Sequence, residues 1–219
     1  MKIRLQETKI AARVAREFQD GMTINLGYGM PSLCTQCIPA NLTVFLHGEN
    51  GVLGYGPPAA DEKKDYELIN PSEEPVTRLP GMSFFDSAAA FDMIRGGHVD
   101  MVVLGAYQVS GKGDLANWGR PRRPATGMAS AMDLAAAGTE LVVMMLHTTK
   151  EGSPRIVRRC TFPLTATGCV KKIFTDLAVM EVTAQGLVLK EIAPGWAPEE
   201  VQAFTEPKLI LDAHLKEIS

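Results

Sequence analysis

Several common features are scarce or missing in this 219-residue chain. No stretch approaches the ~20 consecutive apolar residues needed to span a bilayer. There is no excess of positive charge: 22 basic against 25 acidic residues give a net charge of −3. The chain as a whole therefore offers no electrostatic attraction for nucleic acid or an anionic membrane. Four cysteines, Cys34, Cys37, Cys160 and Cys169, are too few for a disulfide framework in 23.7 kDa, which points to reduced thiols and a cytoplasmic setting. The N-terminus turns charged at Lys2 and Arg4 before an apolar segment develops, so no secretory leader is expected. Cys34-Thr35-Gln36-Cys37 has redox or zinc spacing, but no second pair accompanies it, and no metal is expected. The pair reads as two small apolar residues on a short helix after Pro31.

What remains is a chain long enough to bury a sizeable core, with a length that suits a single domain over 1–219. Ile10, Val14 and Phe18 recur at four-residue spacing, predicting an amphipathic helix over 3–19 that stops at Asp20-Gly21. Strands are predicted at 22–26, 43–47, 101–104 and 141–146, with helices at 88–94 and 129–137 between them. That alternation builds an α/β fold: an open, mostly parallel sheet with helices on both faces. Residues 174–182 and 187–192, separated by Ala184-Gln185-Gly186, predict a hairpin that adds antiparallel strands at the C-terminal side. Residues 61–74 read as an exposed, mobile polar stretch, and 194–219 as a packed tail with a helical turn at Pro198.

Chemistry concentrates where strands meet glycines. Gly27-Tyr28-Gly29-Met30-Pro31-Ser32 follows a strand as a dinucleotide fingerprint would, but serine stands at the third glycine position, so nicotinamide binding is not expected. Glu49 ends the apolar run 43–47 and opens Gly48-Glu49-Asn50-Gly51-Val52-Leu53-Gly54-Tyr55-Gly56, whose glycines leave backbone amides open to a ligand. A carboxylate displayed this way is a candidate nucleophile or base. From these residues alone the stronger reading is an ordinary strand-to-loop turn, with Asn50-Gly51 at positive φ and Glu49 solvated.

Taken together, Asn25-Leu26-Gly27-Tyr28-Gly29-Met30-Pro31, Glu49-Asn50-Gly51-Val52-Leu53-Gly54-Tyr55-Gly56-Pro57 and Gly113-Asp114-Leu115-Ala116-Asn117-Trp118 resemble the B (beta) chain of class I, 3-oxoacid-type CoA-transferases. Phe85-Asp86-Ser87, Ile94-Arg95-Gly96-Gly97-His98 and Arg159-Cys160-Thr161-Phe162-Pro163-Leu164-Thr165 continue the resemblance in order along nearly the whole chain. It implies the CoA-transferase fold, with Glu49 as the nucleophile that attacks an acyl-CoA and becomes a glutamyl-CoA thioester. It further implies that Asn25 and a backbone amide near Ala129 and Ser130 serve the oxyanion or position the acyl group. Gly27, Gly29, Gly48, Asn50, Gly51 and Gly127 are implied to line the substrate site. Coenzyme A enters as co-substrate, with no other cofactor implied. The implied partner is a separate A (alpha) subunit, in an A2B2 or similar assembly, because no G-G-F-type motif of that partner occurs here.

Three departures stand out against the resemblance. Ala129-Ser130 replaces a usual Gly-Gly, Gly48 replaces serine, and Asn70-Pro71-Ser72-Glu73 replaces N-A-G-K. The basic segment 119–124 could meet a CoA phosphate or a dicarboxylate, or remain a solvated loop. The alternatives to transfer are acyl-CoA hydrolysis on the same scaffold and a noncatalytic binding subunit.

Overall fold

The run Met101-Val102-Val103-Leu104 is buried at every position, and side chains leave a strand alternately on opposite faces, so such a strand must be covered on both. The computed structural model describes residues 2–119 and 130–219. In it, Met101 and Val103 pack with Ile10 and Val14 of helix α1 (Glu7–Ala15). Val102 and Leu104 face the other way, toward Ile94 of α2 (Ser87–Arg95) and Leu134 of α3 (Ala131–Ala136). A fourth helix, α4 (Pro198–Ala203), adds Val201 to that second core. Asp86 caps α2, its side chain accepting from the Ala89 amide.

The strands run from β1 (Thr23–Leu26), β2 (Phe45–Gly48), β3 (Val52–Leu53) and β4 (Ser83–Phe84) to β5 (Met101–Leu104), β6 (Gln108–Ser110) and β7 (Leu115–Ala116). They continue with β8 (Glu140–Met144), β9 (Ile156–Val157), β10 (Val170–Phe174), β11 (Ala178–Thr183), β12 (Gly186–Ile192) and β13 (Leu209–Glu217). Among the described residues a ten-stranded sheet has the order β13-β12-β11-β10-β8-β5-β1-β2-β3-β4, and β7-β6-β9 form a small second sheet. The centre of the large sheet, β10-β8-β5-β1-β2, is parallel. Antiparallel strands extend both sides, β3 and β4 at one and β11 and β12 at the other, and β13 returns parallel to β12. The mostly parallel sheet with an antiparallel C-terminal addition agrees with the sequence expectation. No helix among the described residues is long and apolar enough to cross a membrane.

Four expectations need correction. The first helix spans only Glu7–Ala15, because residues before it are tied across the molecule: the Leu5 amide donates to the Asp176 carbonyl at 2.9 Å and Arg4 pairs with the Asp176 carboxylate at 2.8 Å. Phe174 closes β10 rather than opening the hairpin, since Thr175 Oγ1 accepts from the amides of Leu177 and Ala178 and turns the chain there. The tail carries the nine-residue edge strand β13, which faces solvent at most positions and so lacks the alternation that marks a strand. The 61–74 stretch is exposed over 61–67 as expected, but its second half is anchored: Asn70 is 2% exposed, its Oδ1 accepting from the Ser72 and Glu74 amides.

Candidate active site

The cavity opens at the carboxyl ends of β1, β2, β5 and β8, where ligands sit in open parallel sheets. Its volume is about 490 Å³, and Gly27, Glu49, Leu104, Gly105, Met145 and Ser130 are among its walls. Tyr107, Asn117, Trp118 and Arg155 line the side nearer the small sheet. Glu49 is the sole carboxylate among these lining residues.

Glu49 reaches the cavity because β2 and β3 form a hairpin and Glu49 is its first loop residue. Gly51 closes that turn, donating its amide to the Gly48 carbonyl at 3.0 Å, at φ +99°. The main chain then passes so near α2's entrance that a Cβ on Gly51 would lie 2.0 Å from the Phe85 carbonyl oxygen. Gly51→Ala is therefore expected to destabilise the protein by about 2 kcal/mol or more, combining backbone strain with overlap. Chemical denaturation of the purified protein reads this directly, and an unchanged midpoint would contradict it.

The loop is an ordinary turn in its backbone, but Glu49 is not simply solvated. It is half-buried, Asn25 Nδ2 donates to its Oε2 at 3.0 Å, and Ser130 Oγ donates to its Oε1. Each carboxylate oxygen thus has a neutral donor, and no ion pair holds Glu49 among the described residues. Neutral donors orient a carboxylate while leaving its charge uncompensated, which suits a nucleophile better than a salt bridge would. Ser130 stands at the N-cap of α3, yet its hydroxyl makes no capping bond and goes to Glu49 instead.

Asn25 is fully buried at the end of β1, directly opposite His47 of β2. Asn25 Nδ2 also approaches His47 Nδ1 and the His47 carbonyl, both at 3.2 Å. Burial lowers the His47 pKa, opposed by the Glu49 charge and the backbone at Ala90. Tyr55, 2% exposed, has its pKa raised first by burial and then by the charges of Glu49 and Glu74.

The glycines divide by position. Gly27 lines the cavity, and a Cβ there would come within 2.9 Å of Leu104 Cδ2. Gly29, Gly48, Asn50 and Gly51 lie outside the described lining. The amides that the sequence left open to a ligand are largely taken: Gly54 donates to Leu46 O and Gly56 to Thr77 O, both at 2.8 Å, as Gly51 does to Gly48 O. Gly29, at φ +84°, starts the 3-10 turn Met30–Gln36. Asn50 Nδ2 donates to Ile69 O at 2.7 Å and pins the hairpin to the following loop. Gly48 is buried, where a Cβ would meet Asn50 Oδ1 at 2.5 Å and Val52 Cγ1 at 2.8 Å. Gly127, Ala129 and the basic residues 120–123 lie outside the described residues. Pro71, from the departure at 70–73, lines the cavity.

Cys34 is buried against α1, its Sγ 3.8 Å from the Ala11 carbonyl, and burial pushes its thiol pKa upward, the reverse of a reactive thiolate. Sequence reasoning overlooked His47 as a partner of Asn25, and Tyr107 and Arg155 as cavity walls. His47 carried a signal, a polar ring in a buried apolar strand next to Glu49. Arg155 carried none, because it arrives from a distant part of the chain.

Residues 7–203 match the coenzyme A transferase family. The chain is 47% identical over 210 residues to the B chain of the 3-oxoadipate CoA-transferase of Pseudomonas putida, covering 94% of this chain and 97% of that protein. It is 45% identical over 211 residues to the mouse mitochondrial succinyl-CoA:3-ketoacid coenzyme A transferase 2B, covering 95% of this chain but only 41% of that longer protein. Among solved structures, the acyl-CoA transferase YdiF of Escherichia coli O157:H7 superposes with a TM-score of 0.77 at 19% identity, over 100% of this chain and 44% of that one. The decarboxylase AibA/AibB superposes at 0.73 and 20% identity, over 99% of this chain and 90% of that one, so the same fold carries other chemistry.

Proposed function

The chain belongs to the coenzyme A transferase family, and from that premise we propose that it is the beta subunit of a heteromeric transferase. It moves CoA between an acyl-CoA, such as succinyl-CoA, and a 3-oxoacid or other short-chain acid. The covalent carrier is a glutamyl-CoA thioester on Glu49. The observation that carries this reading is the neutral cradle of Glu49, with Asn25 on one oxygen and Ser130 on the other, at a cavity with no second carboxylate in its described walls.

A Glu49 oxygen attacks the acyl-CoA carbonyl and CoA thiolate leaves, giving an acyl-glutamyl anhydride. The thiolate attacks the Glu49 carbonyl and releases the first acid as its carboxylate. The acceptor carboxylate then attacks the Glu49 thioester, and the sequence runs in reverse to give the new acyl-CoA. A carboxylate carrier retains the thioester energy that attack by water would dissipate. During attack on the Glu49 carbonyl, charge develops on a Glu49 oxygen, and Asn25 Nδ2 already stands 3.0 Å from one. The remote parts of CoA contribute binding energy to the reacting centre. A separate alpha subunit completes the site, in an A2B2 or similar assembly in the cytoplasm.

The decisive experiment incubates the complex, co-expressed with its alpha subunit, with acyl-CoA alone. Intact-mass spectrometry is expected to show a CoA-sized adduct that borohydride reduction localises to Glu49. Steady release of CoA without an adduct would instead favour hydrolysis; neither adduct nor turnover would leave a binding subunit. Ser130→Ala is expected to lower kcat about tenfold, the ~1.4 kcal/mol of one hydrogen bond to the nucleophile, with KM nearly unchanged. A wild-type kcat in that variant would exclude a role for the hydroxyl.

A further inference from the structure

Two buried polar atoms beside Glu49 make no hydrogen bond of good geometry among the described residues, Asn25 Oδ1 and His47 Nε2, although the Ala90 backbone lies close enough to the imidazole to raise its pKa. Unpaired buried polar atoms cost stability, so their persistence at one spot calls for an explanation. Both belong to a single line of contacts that ends on the nucleophile. Asn25 Nδ2 lies 3.2 Å from both His47 Nδ1 and the His47 carbonyl and 3.0 Å from Glu49 Oε2, so its two protons are shared among three acceptors, two of them on His47.

We infer that His47 is a positioning residue for the transfer reaction, its Nδ1 accepting from Asn25 and so turning the amide nitrogen, not the amide oxygen, toward Glu49. The inference rests on the reading of Glu49 as nucleophile. The two ends of an asparagine amide are nearly equal in shape, so its partners decide which end faces the site. With the oxygen turned inward, a carbonyl would oppose a carboxylate and the developing oxyanion would lose its donor. Glu49 cannot enforce the orientation throughout the cycle, because its charge disappears when it becomes an anhydride or a thioester. A neutral imidazole offers the same acceptor at every stage, alongside the His47 carbonyl at 3.2 Å, which by itself meets the amide from only one side.

The surroundings favour that neutral ring. An accepting Nδ1 places the ring proton on Nε2, which makes no other side-chain bond, and the Ala90 backbone interacts with the ring. Parallel pairing of β1 with β2 sets Asn25 opposite His47, and Phe85 stacks on the imidazole with centroids 6.2 Å apart. Burial lowers the His47 pKa, although the Glu49 charge opposes that shift.

The test uses the complex co-expressed with its alpha subunit, with kcat and KM for exchange as the readout. His47→Phe keeps a flat ring and removes the acceptor; it is expected to lower kcat about tenfold with KM for acyl-CoA nearly unchanged. His47→Asn, whose Oδ1 can take the place of Nδ1, is expected to restore most of the rate. In an Asn25→Ala background, His47→Phe should cost nothing further, since its action runs through Asn25. His47→Leu repeats the acceptor-free test with a smaller side chain should the phenyl ring prevent assembly. The inference is overturned by wild-type kcat in the acceptor-free variants, by His47→Asn no better than His47→Phe, or by additive losses in the double variant. Absence of any adduct on wild-type Glu49 would overturn the nucleophile assignment itself, so the two failures are distinguishable.

Discussion

Glu49→Ala is expected to abolish CoA exchange between two acids, a loss on the order of 10⁴-fold or more, as for removal of other covalent nucleophiles. No other carboxylate lines the described cavity, so nothing there can replace it as a carrier of thioester energy. Ser130 is the nearest hydroxyl, but an ester on serine would lose the thioester energy that the second half-reaction requires. Glu49→Gln tests the same point with the shape kept and the charge removed. Both variants should fold normally, because Glu49 is only half-buried and has no ion pair among the described residues. Exchange and intact mass should be measured on the same preparation. Retained exchange in either variant would refute the covalent mechanism, whereas loss of both exchange and adduct with an unchanged melting curve would support it.

Asn25→Ala carries the next largest expected effect, a fall in kcat of about 10²–10³, the usual consequence of removing one oxyanion donor. KM for acyl-CoA should change little, because the donor matters most when charge develops on the Glu49 oxygen 3.0 Å away. Asn25→Asp should be worse than alanine. It sets a second carboxylate against Glu49 in a fully buried position, where like charges repel strongly. Steady-state kinetics of the three proteins decides the matter. A drop confined to KM would assign Asn25 to substrate binding, and an active Asn25→Asp would remove it from the charged centre altogether.

The alternation of strands and helices was legible because burial patterns are local. Met101-Val102-Val103-Leu104 announces a strand covered on both faces, and the sheet has it at its centre. β13 was missed for the complementary reason: as an edge strand with most side chains in solvent, it shows no period to read. The shortened α1 and the break at Thr175 depend on distant partners, Asp176 for Arg4 and the two following amides for the threonine hydroxyl.

Glu49 stood out locally only as a candidate, a carboxylate between an apolar strand and a glycine turn, and the ordered motifs along the chain, which pointed to the family, raised it above an ordinary turn. Gly51 likewise declared a tight turn. The resemblance had named Asn25 and the Ala129-Ser130 segment, but which atoms meet Glu49 came only from the tertiary structure. Ser130 lies 81 residues away and Asn25 lies 24 away, and each meets Glu49 only because neighbouring parallel strands end at one edge and α3 starts beside them. The bond from the Ser130 hydroxyl to Glu49 was not anticipated from the sequence. The sequence left glycine amides free that the folded chain uses for its own turns. Periodicity and turn chemistry are encoded over a few residues, so sequence alone determined the central strands and helices and singled out Glu49 as a candidate. Which donors face that carboxylate depends on strand register and on where long connections return, and those are settled only when the whole chain packs.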